Sequence, residues 1–282
     1  MNAQIDDFIR RALVEDAPWG DATSEAFLPV EATASAALVA RESGVLSGGE
    51  VFARVFALVD AETTVELGLD DGEPFAPDAV LARIAGRAHA VLRAERIALN
   101  LVQRMSGIAT LTARYVAAVE GTRARIVDTR KTTPGLRILE RQAVRDGGGR
   151  NHRFSLSDAV MAKDNHLAVL AAAGVPVGEA IQRARARLGH TVHLEVEVDR
   201  LDQIEEVVAA GVDTIMLDNF TPDELRAGIA IVAGRAIVEA SGGVNLDTVR
   251  AIAETGVDVI SVGALTHSVR SLDLGLDVAV GG

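Results

Sequence analysis

HLEVEV (193–198), TIMLD (214–218), AIVEAS (236–241) and VISVG (259–263) are short apolar runs, each ending at a polar residue, an outward valine or a glycine, and helix-like segments separate them at 201–210, 222–232 and 246–254. From Glu197 to Asp218 is 21 residues, from Asp218 to Ser241 is 23, and from Ser241 to Gly263 is 22. A step of that size holds one strand, one helix and two loops, the unit of a parallel α/β barrel. Two earlier runs, RIVDT (125–129) and AVMAK (159–163), extend the series with steps of 34 residues, from Thr129 to Lys163 and from Lys163 to Glu197. Loops lengthened at strand ends are where a barrel keeps its chemistry. Six strands predict a parallel α/β barrel of fewer than eight strands, with an open doubly wound sheet as the competing architecture.

The first hundred residues follow a different pattern. A helix at about 5–15 leads into the turn Pro18-Trp19-Gly20-Asp21, and short alternating stretches, ASAALVARES and TTVELGL, are broken by Gly44, Gly48-Gly49 and Asp70-Asp71-Gly72. That is α+β composition with hairpin-like turns. From Ala88 to Val119 the apolar spacing turns helical, and Ser106-Gly107 is read as dividing it into two helices. The expected organisation is an N-terminal α+β domain over 1–107, with 270–282 packing on it, and the barrel over 108–269.

Composition narrows the class. The 282 residues are 49% hydrophobic and only 3% aromatic, so the core is expected to consist of Ala, Val, Leu and Ile. A net charge of −12 argues against a nucleic-acid or anionic-membrane partner, and no apolar run reaches the ~20 residues that span a bilayer. The absence of cysteine rules out disulfides and thiolate chemistry. A cytoplasmic enzyme is the expectation.

Against this acidic background, Arg123–Arg153 carries nine Lys/Arg and three Asp/Glu, with Pro134-Gly135 and Gly147-Gly148-Gly149 marking it as largely loop. A local excess of that size calls for an anion. Of the 28 basic residues only Lys131 and Lys163 are lysines. A compact ammonium approaches one oxygen from one side, where the wide guanidinium fork does not fit. Alternation along 193–198 puts Leu194, Val196 and Val198 on one face and His193, Glu195 and Glu197 on the other, which faces the barrel interior. Buried carboxylates need a cation, solvent or a ligand, an inward arginine being the purely structural answer. Asp218 repeats the theme one strand later and Glu239 again after that. Glu197 and Asp218 together suit vicinal sugar hydroxyls or a hydrated Mg2+. Ser241-Gly242-Gly243 and Gly263-Ala264 offer backbone N–H groups to a phosphate after the last two strands, each read as opening a helix. These residues describe a site for a phosphorylated sugar and a second, strongly anionic molecule.

The motifs DTRKTTPGLR (128–137), GGGRNHR (147–153), LSDAVMAKDNH (156–166), HLEVEVD (193–199), IMLDNF (215–220), EASGGV (239–244) and VDVISVGALTHS (257–268), in this order, resemble quinolinate phosphoribosyltransferase. ALVEDAPWGDATS (12–24) and AERIALNLVQRMSGIAT (94–110) resemble the same family, so the likeness covers nearly the whole chain. It implies transfer of phosphoribose from 5-phosphoribosyl-1-pyrophosphate to quinolinate with loss of CO2, in NAD synthesis, with Mg2+ and in a homodimer that shares its active site. By the resemblance, Arg130, Lys131, His152 and Arg153 surround the quinolinate carboxylates, Arg96 reaches them from the other subunit, and Thr129 is a further substrate-binding residue. Lys163 meets the phosphoribosyl pyrophosphate, and Glu197 and Asp218 its hydroxyls or Mg2+. Ser241, Gly242, Gly243, Val262, Gly263 and Ala264 hold the 5′-phosphate, with His267 nearby. Lys131, Lys163, Glu197 and Asp218 are the expected catalytic set. The chain departs from the family pattern at Glu140-Arg141-Gln142, expected on a helix surface, and at Ser155, where glycine is usual.

Other readings are a relative from molybdenum-transport operons, a nicotinate phosphoribosyltransferase, a Schiff-base aldolase using Lys163, and a sugar-phosphate-binding protein without catalysis. Arg130, His152 and Arg153 together exceed what one carboxylate needs, which favours a dicarboxylate. Asp164 and the basic loop near Lys163 oppose the neutral amine that a Schiff base requires.

Overall fold

The structure, a computed structural model, describes residues 3–279. The chain divides into two compact units: Met1–Ala113 with Thr132–Gly148 and Ser268–Gly282, and Arg114–Lys131 with Gly149–His267. Residues 280–282 of the C-terminal segment expected to pack on the N-terminal domain lie outside the described residues.

In the first unit, strands β1 (Thr33–Ala40), β2 (Gly44–Val45), β3 (Thr64–Leu67), β4 (Pro74–Phe75) and β5 (Val80–Arg87) follow two short helices. An antiparallel sheet joins β3 to β5 and β5 to β1, and the late strand Leu274–Ala279 pairs with the other edge of β1. The expected aliphatic core includes aromatic rings after all. Phe52 and Phe56, fully buried on helix Gly49–Val59, meet edge to face with centroids 5.0 Å apart.

Helix Ala88–Ala118 runs unbroken for 31 residues, so Ser106-Gly107 does not divide it. These two small residues serve packing instead. Ser106 Oγ accepts from the Ser47 N–H at 3.1 Å, and a Cβ on Gly107 would collide with the Arg270 carbonyl oxygen. The stretch read as largely loop contains helix Arg137–Asp146. Its Glu140 is not at the surface: it is 1% exposed, Arg104 donates to its Oε1 through Nε (2.8 Å) and a terminal nitrogen (2.5 Å), and its Oε2 accepts the Thr133 N–H at 3.1 Å. A forked partner is what lets this carboxylate lie inside the fold; the departures from the expected pattern are the two residues after it. Arg141 and Gln142 are half-buried.

The second unit holds strands β6 (Arg125–Val127), β7 (Val160–Ala162), β8 (Leu194–Val198), β9 (Thr214–Asp218), β10 (Ile237–Ser241) and β11 (Val259–Ser261). They form one parallel sheet in the order β6-β11-β10-β9-β8-β7, the incomplete six-stranded barrel that the spacing predicted. Every residue of β8 is buried, which requires apolar packing on one side and a filled interior on the other. Helix Pro222–Val232 starts abruptly after β9 because Thr221 and Glu224 form a reciprocal cap, with proline at the first turn. β6 and β7 are the outermost strands of the ladder. Beside β6 runs a further extended segment: the Arg150 N–H donates to the Ile126 carbonyl at 2.9 Å, and the Asp128 N–H to the Arg150 carbonyl at 3.1 Å. This brings His152 and Arg153 to the open side of the sheet.

Candidate active site

Ten of the residues singled out from sequence line one cavity of about 350 Å³ in the barrel unit: Thr129, Arg130, Lys131, His152, Arg153, Lys163, Glu197, Asp218, Glu239 and Ser241. Met161, Met216 and Ser261 complete the lining. All three are inward positions of strands, so alternation alone could have found them. Both lysines face the cavity.

Asp128, fully buried after β6, places the basic wall. Its Oδ1 accepts the His152 N–H and its Oδ2 the Asn151 side-chain amide, both at 2.7 Å. Arg153 reaches back to the Ala159 carbonyl at 3.0 Å. Burial, then the charge of Arg130, pulls Arg153 below the ordinary guanidinium value. Two guanidiniums held in mutual repulsion are relieved by a bound anion. Ser155, in place of the usual glycine, carries no positive φ, and its Oγ accepts the Ser157 N–H at 3.1 Å, closing the turn after Arg153.

Lys131 is held by its backbone. Its N–H donates to Thr129 Oγ at 3.1 Å and its carbonyl accepts from buried Thr266 Oγ at 2.8 Å. Its stem crosses Gly263 so closely that a Cβ there would lie 3.0 Å from Lys131 Cδ and 3.1 Å from His267 Nε2. Lys131, Gly263 and His267 therefore form one cluster.

His152 sits between two buried carboxylates, with Nε2 3.2 Å from Glu195 and 3.4 Å from Glu239. Burial alone would pull its pKa down; the hydrogen bonds to both carboxylates reverse that and push it up to about 10. Burial raises Glu195 as well. The Arg153 N–H donates to His152 Nδ1 at 2.8 Å, a bond that the doubly protonated ring must open. In the tautomer that keeps it, Nε2 carries the hydrogen and donates to the carboxylates. That argues against a metal ion in the His152–Glu195–Glu239 cluster, although its ligand atoms lie within 4.8 Å of one another.

Lys163, at the end of β7, forms an ion pair with Glu197 on the adjacent strand β8. The Lys163 N–H donates to His166 Nδ1 at 3.1 Å, a support from the KDNH stretch that the sequence reading passed over. Asp218 ends β9, and its Oδ2 accepts from the Asn219 amide at 2.7 Å. Glu197 and Asp218 also border a second cavity of about 580 Å³ with Asp164, Asp199 and Glu206. The carboxylate pair is thus the partition between a basic cavity and an acidic one.

The two glycine turns differ from each other. Gly242 and Gly243 adopt φ of 85° and 63°, yet the next helix, Val249–Ala253, begins well beyond them, so this turn does not open a helix as expected. Only the second turn does, with Ala264–His267 directly after Gly263. Gly242, Gly243, Val262, Gly263, Ala264 and His267 are not part of the cavity lining itself. Arg96 is exposed on the long helix of the first unit.

Family models for the N- and C-terminal domains of quinolinate phosphoribosyl transferase match residues 21–106 and 108–277. The chain is 42% identical to a probable nicotinate-nucleotide pyrophosphorylase [carboxylating] of Bacillus subtilis, across 98% of this chain and 94% of that one. It is 42% identical to the Mycobacterium leprae nicotinate-nucleotide pyrophosphorylase [carboxylating], across 96% of each. The crystal structure of NadC from Streptococcus pyogenes superimposes with a TM-score of 0.93 at 43% identity, covering 99% of this chain and 98% of that one.

Proposed function

The chain belongs to the quinolinate phosphoribosyl transferase family, and from that premise we propose how its cavity carries out the reaction. The enzyme joins quinolinate to 5-phosphoribosyl-1-pyrophosphate, giving nicotinate mononucleotide, CO2 and pyrophosphate, in de novo NAD synthesis. The observation that supports the division of labour is the polarity of the cavity, with Arg130, Lys131, His152 and Arg153 on one side and Glu197 and Asp218 on the other.

Quinolinate carries two adjacent carboxylates, and Arg130 and Arg153 supply two forks for them. Their repulsion in the absence of an anion makes binding more favourable. As the ring nitrogen bonds to the ribose C1 and the C1–oxygen bond to pyrophosphate breaks, positive charge builds on C1. The carboxylates of Glu197 and Asp218 stabilise it, and Lys163 holds Glu197 while offering an ammonium to the departing pyrophosphate. Loss of CO2 then leaves an electron pair on ring C2 beside a cationic nitrogen, and a proton takes the place of the carboxylate. Lys131, on the same wall as Arg130 and Arg153, adds an ammonium to the quinolinate carboxylates, and its stem, packed with Gly263 and His267, ties that wall to the turn proposed for the 5′-phosphate.

Mg2+ belongs to the proposal. Glu197 and Asp218 fit it: both are hard oxygen donors at the ends of neighbouring strands, facing one cavity. When bound, the ion would neutralise charge on pyrophosphate. A homodimer in which Arg96 completes the partner's site, and a cytoplasmic location, are further parts of this reading.

Carboxyl-labelled quinolinate supplied with phosphoribosyl pyrophosphate and Mg2+ tests it: labelled CO2 and nicotinate mononucleotide should appear together. Nicotinate offered in its place should give no product; equal use of nicotinate would overturn the dicarboxylate reading.

A further inference from the structure

Asn219 follows Asp218 and is one of three non-glycine residues with positive φ among the described residues, at 61°. Only glycine, asparagine and aspartate adopt this conformation at little cost. Three contacts converge on it. Its N–H donates to the Ser241 carbonyl at 2.9 Å, extending the β9–β10 register by one residue beyond the Asp218–Ser241 pair. Its side-chain amide donates to Asp218 Oδ2 at 2.7 Å. Its backbone and side chain also press on Gly242, where an added Cβ would lie 2.9 Å from Asn219 N and closer still to the side chain.

The backbone conformation alone permits three residue types. The side-chain contact reduces them to one, since glycine has no donor and aspartate would set a second negative charge against Asp218. Gly242, with φ of 85°, is equally constrained, because any side chain would occupy the space that the Asn219 amide fills.

We propose that Asn219 is a positioning residue that locks the Asp218 carboxylate to the Ser241–Gly243 turn, so that the ribose-hydroxyl and 5′-phosphate subsites form one rigid unit. This rests on the reading of Asp218 as a ribose-side carboxylate given above. Asn219 need not touch substrate to act. It removes the freedom of Asp218 to rotate toward the neighbouring acidic cavity, a freedom that would cost transition-state stabilisation each turnover.

Asn219→Gly and Asn219→Asp separate this role from a demand for the turn alone, because both residues tolerate the backbone conformation. With the wild-type enzyme active on quinolinate and phosphoribosyl pyrophosphate in parallel, each variant should keep its thermal midpoint. Each should lose about ten-fold or more in kcat/KM for phosphoribosyl pyrophosphate, the size expected for a lost hydrogen bond to a charged group, while the KM for quinolinate stays unchanged. Asn219→Gly with wild-type kinetics would overturn the inference, as would an equal loss for both substrates. An inactive wild type would instead overturn the reading of the site.

Discussion

Lys163 and Glu197 are ion-paired across adjacent strands, the carboxylate 11% and the ammonium 42% exposed at its side chain. The pair joins the basic wall of the cavity to its carboxylate partition. Before substrate arrives, Lys163 offsets a carboxylate that would otherwise sit nearly buried without a counter-charge. The same ammonium lies at the carboxyl ends of the strands, where the proposed function has pyrophosphate depart.

Lys131→Arg preserves charge and should still cost turnover about ten-fold or more, the size of a misplaced charged hydrogen bond. The Lys131 stem lies in the space that a side chain on Gly263 would fill, and from that stem a wide guanidinium fork sets its charge at other points than a compact ammonium does. Steady-state kcat checks this; a variant within two-fold of wild type would remove the argument for a compact donor.

Gly107→Ala inverts the ordinary rule. In a helix interior alanine gains about 1 kcal/mol over glycine. Here the new methyl meets the Arg270 carbonyl, and overpacking of that kind costs about 1–3 kcal/mol. The collision wins, so thermal or denaturant unfolding should show a net loss; a more stable variant would mean the backbone yields freely.

His152 sets a pH dependence whose sign follows from its raised pKa. A folded-state value of about 10 against an ordinary 6.5 means that its pairing with Glu195 and Glu239 stabilises the fold fully below about pH 6.5. That stabilisation fades as pH rises through 10. The difference in thermal midpoint between wild type and His152→Asn should shrink between pH 6.5 and 10.5; a constant difference would show that the ring is not charged in the fold.

The shared site of the proposed dimer predicts rescue by mixing. In a hybrid of Arg96→Ala and Lys163→Ala subunits one of the two sites carries neither change, so random reassortment should restore about a quarter of wild-type activity. Mixtures no more active than the separate variants would place Arg96 outside the site.

Strand positions were legible in the sequence because each strand is a short apolar run at a regular step, and all six appear within a residue or two of those runs. The helix at 88–118 was misread because Ser106-Gly107 satisfies a local breaker rule, whereas the reason for the glycine is a carbonyl from the far end of the chain. Helix Arg137–Asp146 was hidden by the Pro-Gly and triple-glycine turns that flank it. Alternation aimed Glu195 inward, but nothing local says that His152, from a loop on the open edge, lands between it and Glu239. Asn219 escaped notice for the same reason: its left-handed backbone and its packing on Gly242 exist only once β9 and β10 are side by side.

The most direct test of the account is a crystal structure with quinolinate bound. The pyridine should lie against Arg130 and Arg153, one carboxylate engaged by each fork, with its ring nitrogen turned toward the partition formed by Glu197 and Asp218. Quinolinate found instead with its carboxylates away from both guanidiniums, or seated on the far side of that partition, would contradict it.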